Sequence, residues 1–387
     1  MSDDLPGLEF HFITTFPDRF CPFPDVHNKP KGLLVEYTPA MSEITILSQI
    51  AKIRNFEKGH RAAQVINTGF RCGILDLLTE HPEGLTVPDL ALKLMLYVPF
   101  LKIWCQTAYH FEIIDCDEMG RFKLQPFLEE VLGLDMSFRI HPKREDRATV
   151  NPSLNGIHDP LFEFIRTGRP AAYTVKSSVA SFAACRGTQS ISTVFLSMIF
   201  PEKPHLKQRL EEGCACLDVG CGSGSLIVDF AHRFKKSTFV GVDPDIYGLE
   251  KAEKSISHFG LDDRVRVENM GGEEINFNDE FDMAGMVLTL HEILPEVRQE
   301  ALTKTFQALK KGGRLMILDY PYPSRLEDFR TPRYDYGIIE QYFEAMGGIV
   351  HIAKEEQDEL LSNAGFKTIE RMPVGDGGLL DFITAMK

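Results

Sequence analysis

The sequence predicts an α/β protein: a doubly wound, largely parallel sheet in the C-terminal part, preceded by a small helical domain that ends in a β-hairpin. Three observations carry this expectation. From Ala215 onward, short apolar runs alternate with helical segments, the pattern of successive strand–helix–strand units. The stretch LDVGCGSGS at 217–225 sets glycines between a strand and a helix. Between residues 43 and 125 the order is helix, helix, helix, hairpin.

The 387 residues suffice for two ordinary domains. With 43% hydrophobic and 25% charged residues, a wholly disordered or fibrous chain is excluded. The net charge of −14 repels phosphate backbones, so neither nucleic acid nor a membrane is expected as a partner. The start, MSDDLPGLEF, is acidic and does not read as a secretory or transit peptide. No apolar run reaches the ~18 residues of a membrane span. The eight cysteines include no CxxC pair, which suits a reduced cytoplasmic protein.

In chain order, residues 1–40 read as an irregular, aromatic-rich arm with a short strand at 32–37. Residues 41–136 form the helical domain. Ile44, Ile46, Leu47, Ile50 and Ile53 recur at helical spacing and mark a first helix. Ala63, Val65, Ile66, Phe70, Ile74, Leu77 and Leu78 mark a second over 60–79. Thr86 ahead of Pro88 and Asp89 suits an N-cap. Residues 99–110 form a further helix, and FEIIDCDEMGRFKLQP reads as strand, turn, strand with the turn near 117–120. This is the order of a winged-helix domain. The segment in the place of a DNA-reading helix, FLKIWCQTAYH, has one Lys and is apolar, which suits a dimer seam or a pocket wall rather than a groove reader. Residues 137–212 read as a helical linker or lid, polar and turn-rich over 137–157, and 213–387 as the α/β domain.

In that last domain the sequence predicts strands at 216–220, 238–242, 265–268 and 281–290, with helices over 225–233, 246–259 and 295–309. A turn at KKGG then leads to a fifth strand ending at Asp319, and two closing strands flank the turn 375–378. A ligand should sit beyond the carboxyl ends of the parallel strands. Gly220, Gly222 and Gly224 allow a tight turn and close backbone approach. Asp243, at the end of the second strand, can accept both hydroxyls of a ribose. The triplet is not the dinucleotide GxGxxG, and no GK[ST] follows it.

With these residues in place, 215–225 resembles the first signature motif of the class I S-adenosylmethionine-dependent methyltransferases, and 213–387 follows that family's strand and helix order. The front half resembles the winged-helix dimerisation domain of small-molecule O-methyltransferases. The resemblance implies a seven-stranded Rossmann-like sheet, S-adenosyl-L-methionine as cofactor, a small-molecule acceptor and a homodimer. It implies that Asp218, Gly220, Gly222 and Gly224 line the methionine part of the cofactor, that Asp243 holds the ribose, and that Pro244 or Asp245 lies beside the adenine. The family's adenine-binding acid falls on Gly271 here, which leaves Met270, Gly271 and Gly272 to bracket the ring, and Glu273 and Glu274 as a solvated helix start.

MVLTLHEILPEV sits where the family carries its His-Asp pair, so His291 matches the general base and Glu292 replaces the acid. His291 can take the acceptor's proton, line the site, or serve structure alone. Tyr320, Tyr322, Tyr334 and Tyr336, with Arg333, read as a substrate-pocket wall, and Arg325, Arg330 and Arg333 as groups able to meet a carboxylate. No catalytic metal is expected. The reading is methyl transfer to a hydroxyl or carboxylate oxygen; the alternatives are an S- or N-methyltransferase and a non-catalytic cofactor-binding regulator.

Overall fold

The computed structural model describes residues 45–132, 161–168, 181, 188 and 190–387. The expected arm 1–40, its strand at 32–37 and the connection 137–157 lie outside them. Helix α1 (Ile46–Arg71) is continuous, so the two helices expected over 43–79 are joined where the sequence shows weak periodicity. The break falls later, at Gly73, whose φ of 74° starts α2 (Ile74–Glu80). Helix α3 (Val87–Leu94) begins as expected: the Thr86 hydroxyl accepts from the Asp89 N–H, and the Asp89 carboxylate accepts from the Thr86 N–H at 3.2 Å. Removing this reciprocal cap by Thr86→Ala should cost about 1 kcal/mol, read from the shift of the urea midpoint.

Helix α4 (Val98–His110) turns seven residues inward, among them Phe100, Ile103 and Trp104. The Trp104 indole N–H donates to the Val65 carbonyl at 3.0 Å, tying α4 to α1. The helix in the DNA-reading position is therefore core. Strands β1 (Ile114–Cys116) and β2 (Phe122–Leu124) pair antiparallel around the expected turn, with Gly120 N–H on the Asp117 carbonyl.

After α5 (Pro204–Glu212) comes the sheet: β3 (Ala215–Val219), β4 (Thr238–Asp243), β5 (Val265–Asn269), β6 (Phe281–Val287), β7 (Leu309–Asp319), β8 (Lys367–Val374) and β9 (Leu380–Met386). Its order is β5-β4-β3-β6-β7-β9-β8. The first five strands run parallel and β9 is antiparallel to both neighbours. Helices α6 (Ser225–Arg233), α7 (Ile246–His258), α8 (Pro295–Ala308), α9 (Asp335–Glu344) and α10 (Lys354–Ala364) complete this part. Two apolar clusters pack on it, one including Phe195, Phe230 and Phe382, the other Val242, Met286 and Ile317. Burial of these side chains is the main stabilising term.

Two expectations are corrected. The KKGG segment lies within β7, where Gly312 at φ 77° accompanies a register shift against β6. Strand β6 ends at Val287 rather than 290, because Leu288 adopts φ 54° and turns the chain out of the sheet. That places Thr289–His291 in a loop at the switch point, where β3 and β6 are neighbours although the chain reverses direction of winding between them. None of the described helices is long and apolar enough to cross a membrane.

Candidate active site

The glycine turn follows β3 as expected. Gly220 has φ 78°, and a Cβ there would lie 2.3 Å from Thr289 Cγ2, so both the backbone and the approach of the β6 loop require glycine. Gly224, at φ 69°, begins α6, and its Cβ would meet Ala252 at 2.9 Å. Asp243 Oδ2 accepts from Gly222 N–H at 2.7 Å and Oδ1 from Asp245 N–H at 2.8 Å. Each oxygen keeps a further lone pair for a ligand hydroxyl. Asp245 caps α7 by accepting from the Tyr247 and Gly248 N–H groups.

Asp218 is buried, and burial, then the nearby Asp243, pushes its carboxyl up to about 7. A cationic ligand group would relieve that. At the cofactor end of the sheet, Pro244 after β4 is exposed and Met270 after β5 half-buried. Gly271 N–H donates to Glu274 Oε2 at 2.8 Å, so Glu274 acts as a local cap and that N–H is engaged. Gly272 opens the short turn Gly272–Glu274.

On the opposite side of the switch point, His291 is buried. Its Nδ1 lies 2.5 Å from Asp319 Oδ1, and its backbone N–H donates to Asp319 Oδ2 at 3.2 Å. Its Nε2 is 3.6 Å from Glu344 Oε2, which is itself 2.6 Å from His351 Nε2. Burial alone would lower the His291 pKa; Asp319 and Glu344 outweigh it and hold it well above the usual histidine value. Burial, then the charge of His291, lowers that of His351. Glu344 is drawn down to about 2, its burial outweighed by hydrogen bonds to the two imidazoles.

Asp319, at the end of the strand beside β6, thus orients His291. No hydrogen bond among the described residues joins Glu292 to that ring; its backbone N–H donates to the Thr289 carbonyl. Glu344 and His351, on and after α9, had no signal in sequence spacing.

Tyr320 and Tyr336 lie 5.0 Å apart between ring centroids, and Tyr320 is 5.6 Å from His291. Tyr322 meets His351 edge-on at 5.5 Å. These three join the histidines. Tyr334 and Arg333 do not: Arg333 pairs with Asp381 at 2.6 Å and lies 6.0 Å from the Tyr334 ring. Arg330 donates to the Tyr109 and Ile114 carbonyls, and Arg325 pairs with Glu327. Of the three arginines, Arg325 and Arg333 thus meet carboxylates of the chain itself and Arg330 meets backbone carbonyls.

His291, Glu344 and His351 also bring three possible metal-ligand atoms within 4.8 Å of one another. The 2.6 Å between Glu344 and His351 is a hydrogen-bond length, shorter than the ~3.3 Å separating two ligands on a zinc ion with ~2.0 Å bonds. The trio is closed on itself rather than spread around a cation.

Residues 216–313 match the family described as "Methyltransferase domain". The chain is similar to the sterol 4-C-methyltransferase strm-1 of Caenorhabditis elegans, 28% identical over 30% of this chain and 34% of that one. It is similar to the ribosomal protein L11 methyltransferase of Thermosipho africanus, 30% identical over 35% of this chain and 47% of the relative. The chain thus spans about a third to a half of these relatives' length. Its fold is that of an O-methyltransferase family 2 protein from Planctomyces limnophilus, solved in complex with apigenin: TM-score 0.65, 15% identity, 87% of this chain and 96% of that one. The chain thus has an O-methyltransferase-like fold with a match to a methyltransferase domain over residues 216–313.

Proposed function

We propose that this protein transfers a methyl group from S-adenosyl-L-methionine to a hydroxyl oxygen of a small molecule. The observation that carries this is His291, oriented by Asp319 across the switch point from the glycine turn and Asp243. Bound S-adenosylmethionine supplies an electrophilic methyl on a sulfonium. Asp243 accepts the ribose hydroxyls, buried Asp218 favours the cationic amino-acid end, and Pro244, Met270 and Gly272 border the adenine. His291 Nε2 takes the acceptor's proton while Asp319 holds Nδ1. Tyr320, Tyr322 and Tyr336 wall an apolar acceptor and help to exclude water. A hydroxyl is favoured over a carboxylate because Asp319 and Glu344 already surround the ring.

A screen of small phenols, alcohols, acids, thiols and amines with methyl-labelled cofactor tests this. Label should pass to a hydroxyl-bearing compound; transfer only to thiols or amines would overturn the oxygen assignment. We read the helical part as a dimerisation domain, supported by the exposed Ile50, Ile53 and Phe56 on α1. Light scattering should give twice the chain mass.

A further inference from the structure

We infer that Arg298 is a positioning residue, a buried clamp that sets His291 and His351 on either side of Glu344. It rests on the site proposed above. Arg298, on α8, is 2% exposed, and its guanidinium spans two chain segments. Nη2 donates to the His291 carbonyl at 2.9 Å and to the Val350 carbonyl at 2.8 Å, while Nε donates to the Ile293 carbonyl at 3.0 Å. It therefore ties the loop carrying His291 to the residue before His351. A buried guanidinium is costly unless its donors find partners, and here three bonds to carbonyls, rather than to a carboxylate, hold Nε and Nη2.

Gln341, 1% exposed on α9, holds the same segment from the other side. Its Nε2 donates to the Ile349 carbonyl at 2.9 Å, and its Oε1 accepts from the His351 N–H at 2.5 Å. Gln341 lies one turn before Glu344 on that helix. Nη2 alone bonds both segments while Nε holds the Ile293 carbonyl; a lysine ammonium keeps the charge but cannot place donors at both nitrogen positions.

The test reads the imidazoles directly and needs no acceptor. Histidine labelled with 13C is incorporated, and the two resonances are assigned with His291→Gln and His351→Gln. The groups facing His291 are Asp319, Glu344, Glu340, Glu292 and His351. In the intact chain His291 should titrate above ~6.5 and His351 below it. In Arg298→Met and Arg298→Lys both should move toward ~6.5, narrowing the gap, with affinity for S-adenosylhomocysteine changed by no more than about twofold.

Simple loss of a positive charge in Arg298→Met would instead raise the His291 value. A gap that is absent in the intact chain, or unchanged or wider in the variants, overturns the inference. So does a narrowed gap accompanied by lost cofactor affinity, which marks general loosening. Gln341→Met should narrow the gap too, and it decides the matter if the arginine variants fail to fold. If the intact chain binds no cofactor, the proposed function fails while the titrations, with an unchanged melting temperature in place of affinity as the check on loosening, still judge Arg298.

Discussion

His291→Ala should lower turnover by roughly 10²–10⁴-fold, the range for losing a positioned general base. The affinity for S-adenosylmethionine should barely change, because the ring addresses the acceptor. The pH profile gives an independent check. His291 must be neutral to accept a proton, and the Asp319 and Glu344 carboxylates raise its pKa. Activity should therefore rise with pH through an apparent value above ~6.5, and that limb should vanish in the variant. Asp319→Asn should lower the limb, since it removes the carboxylate on Nδ1. Near-normal turnover in His291→Ala would mean an acceptor whose nucleophile needs no deprotonation.

Asp243→Ala should weaken cofactor binding by about 1.5–3 kcal/mol, the worth of hydrogen bonds to a charged group. That corresponds to roughly 10- to 150-fold in Kd. The same carboxylate receives the Gly222 and Asp245 N–H groups, so part of the loss comes from the glycine turn. Asp243→Asn keeps one acceptor oxygen and should lose less. Calorimetry on both variants, with melting temperatures alongside, separates ligand contact from damage to the loop. Equal affinity in Asp243→Ala and the intact chain would remove the ribose role.

The parallel strands were legible because each pairs a short apolar run with a following amphipathic helix, as at 215–233 and 238–258. The turn after β3 was legible because three glycines follow an apolar strand. The end of β6 was not, since the left-handed turn at Leu288 occurs at a residue type that rarely adopts it. Asp319 was within reach of the sequence: β6 and β7 are parallel neighbours, so their carboxyl ends converge, with Val287 paired to Leu318. Glu292 is adjacent in sequence, yet no hydrogen bond among the described residues joins it to the His291 ring; Asp319 makes that contact. Glu344 and His351 depend on how α9 packs, with Tyr342 in the core of the helical domain, a tertiary fact that local periodicity does not encode. The arginines at 330 and 333 looked available because nothing local marks their commitments; Asp381, the partner of Arg333, lies far away in sequence, whereas the partner of Arg325 is the nearby Glu327.

The most direct measurement is a calorimetric titration of the intact chain with S-adenosylmethionine and with S-adenosylhomocysteine. Both should bind saturably at one ligand per chain, more weakly in Asp243→Ala and unchanged in His291→Ala. No saturable binding of either ligand by the folded, intact chain would contradict the proposed function.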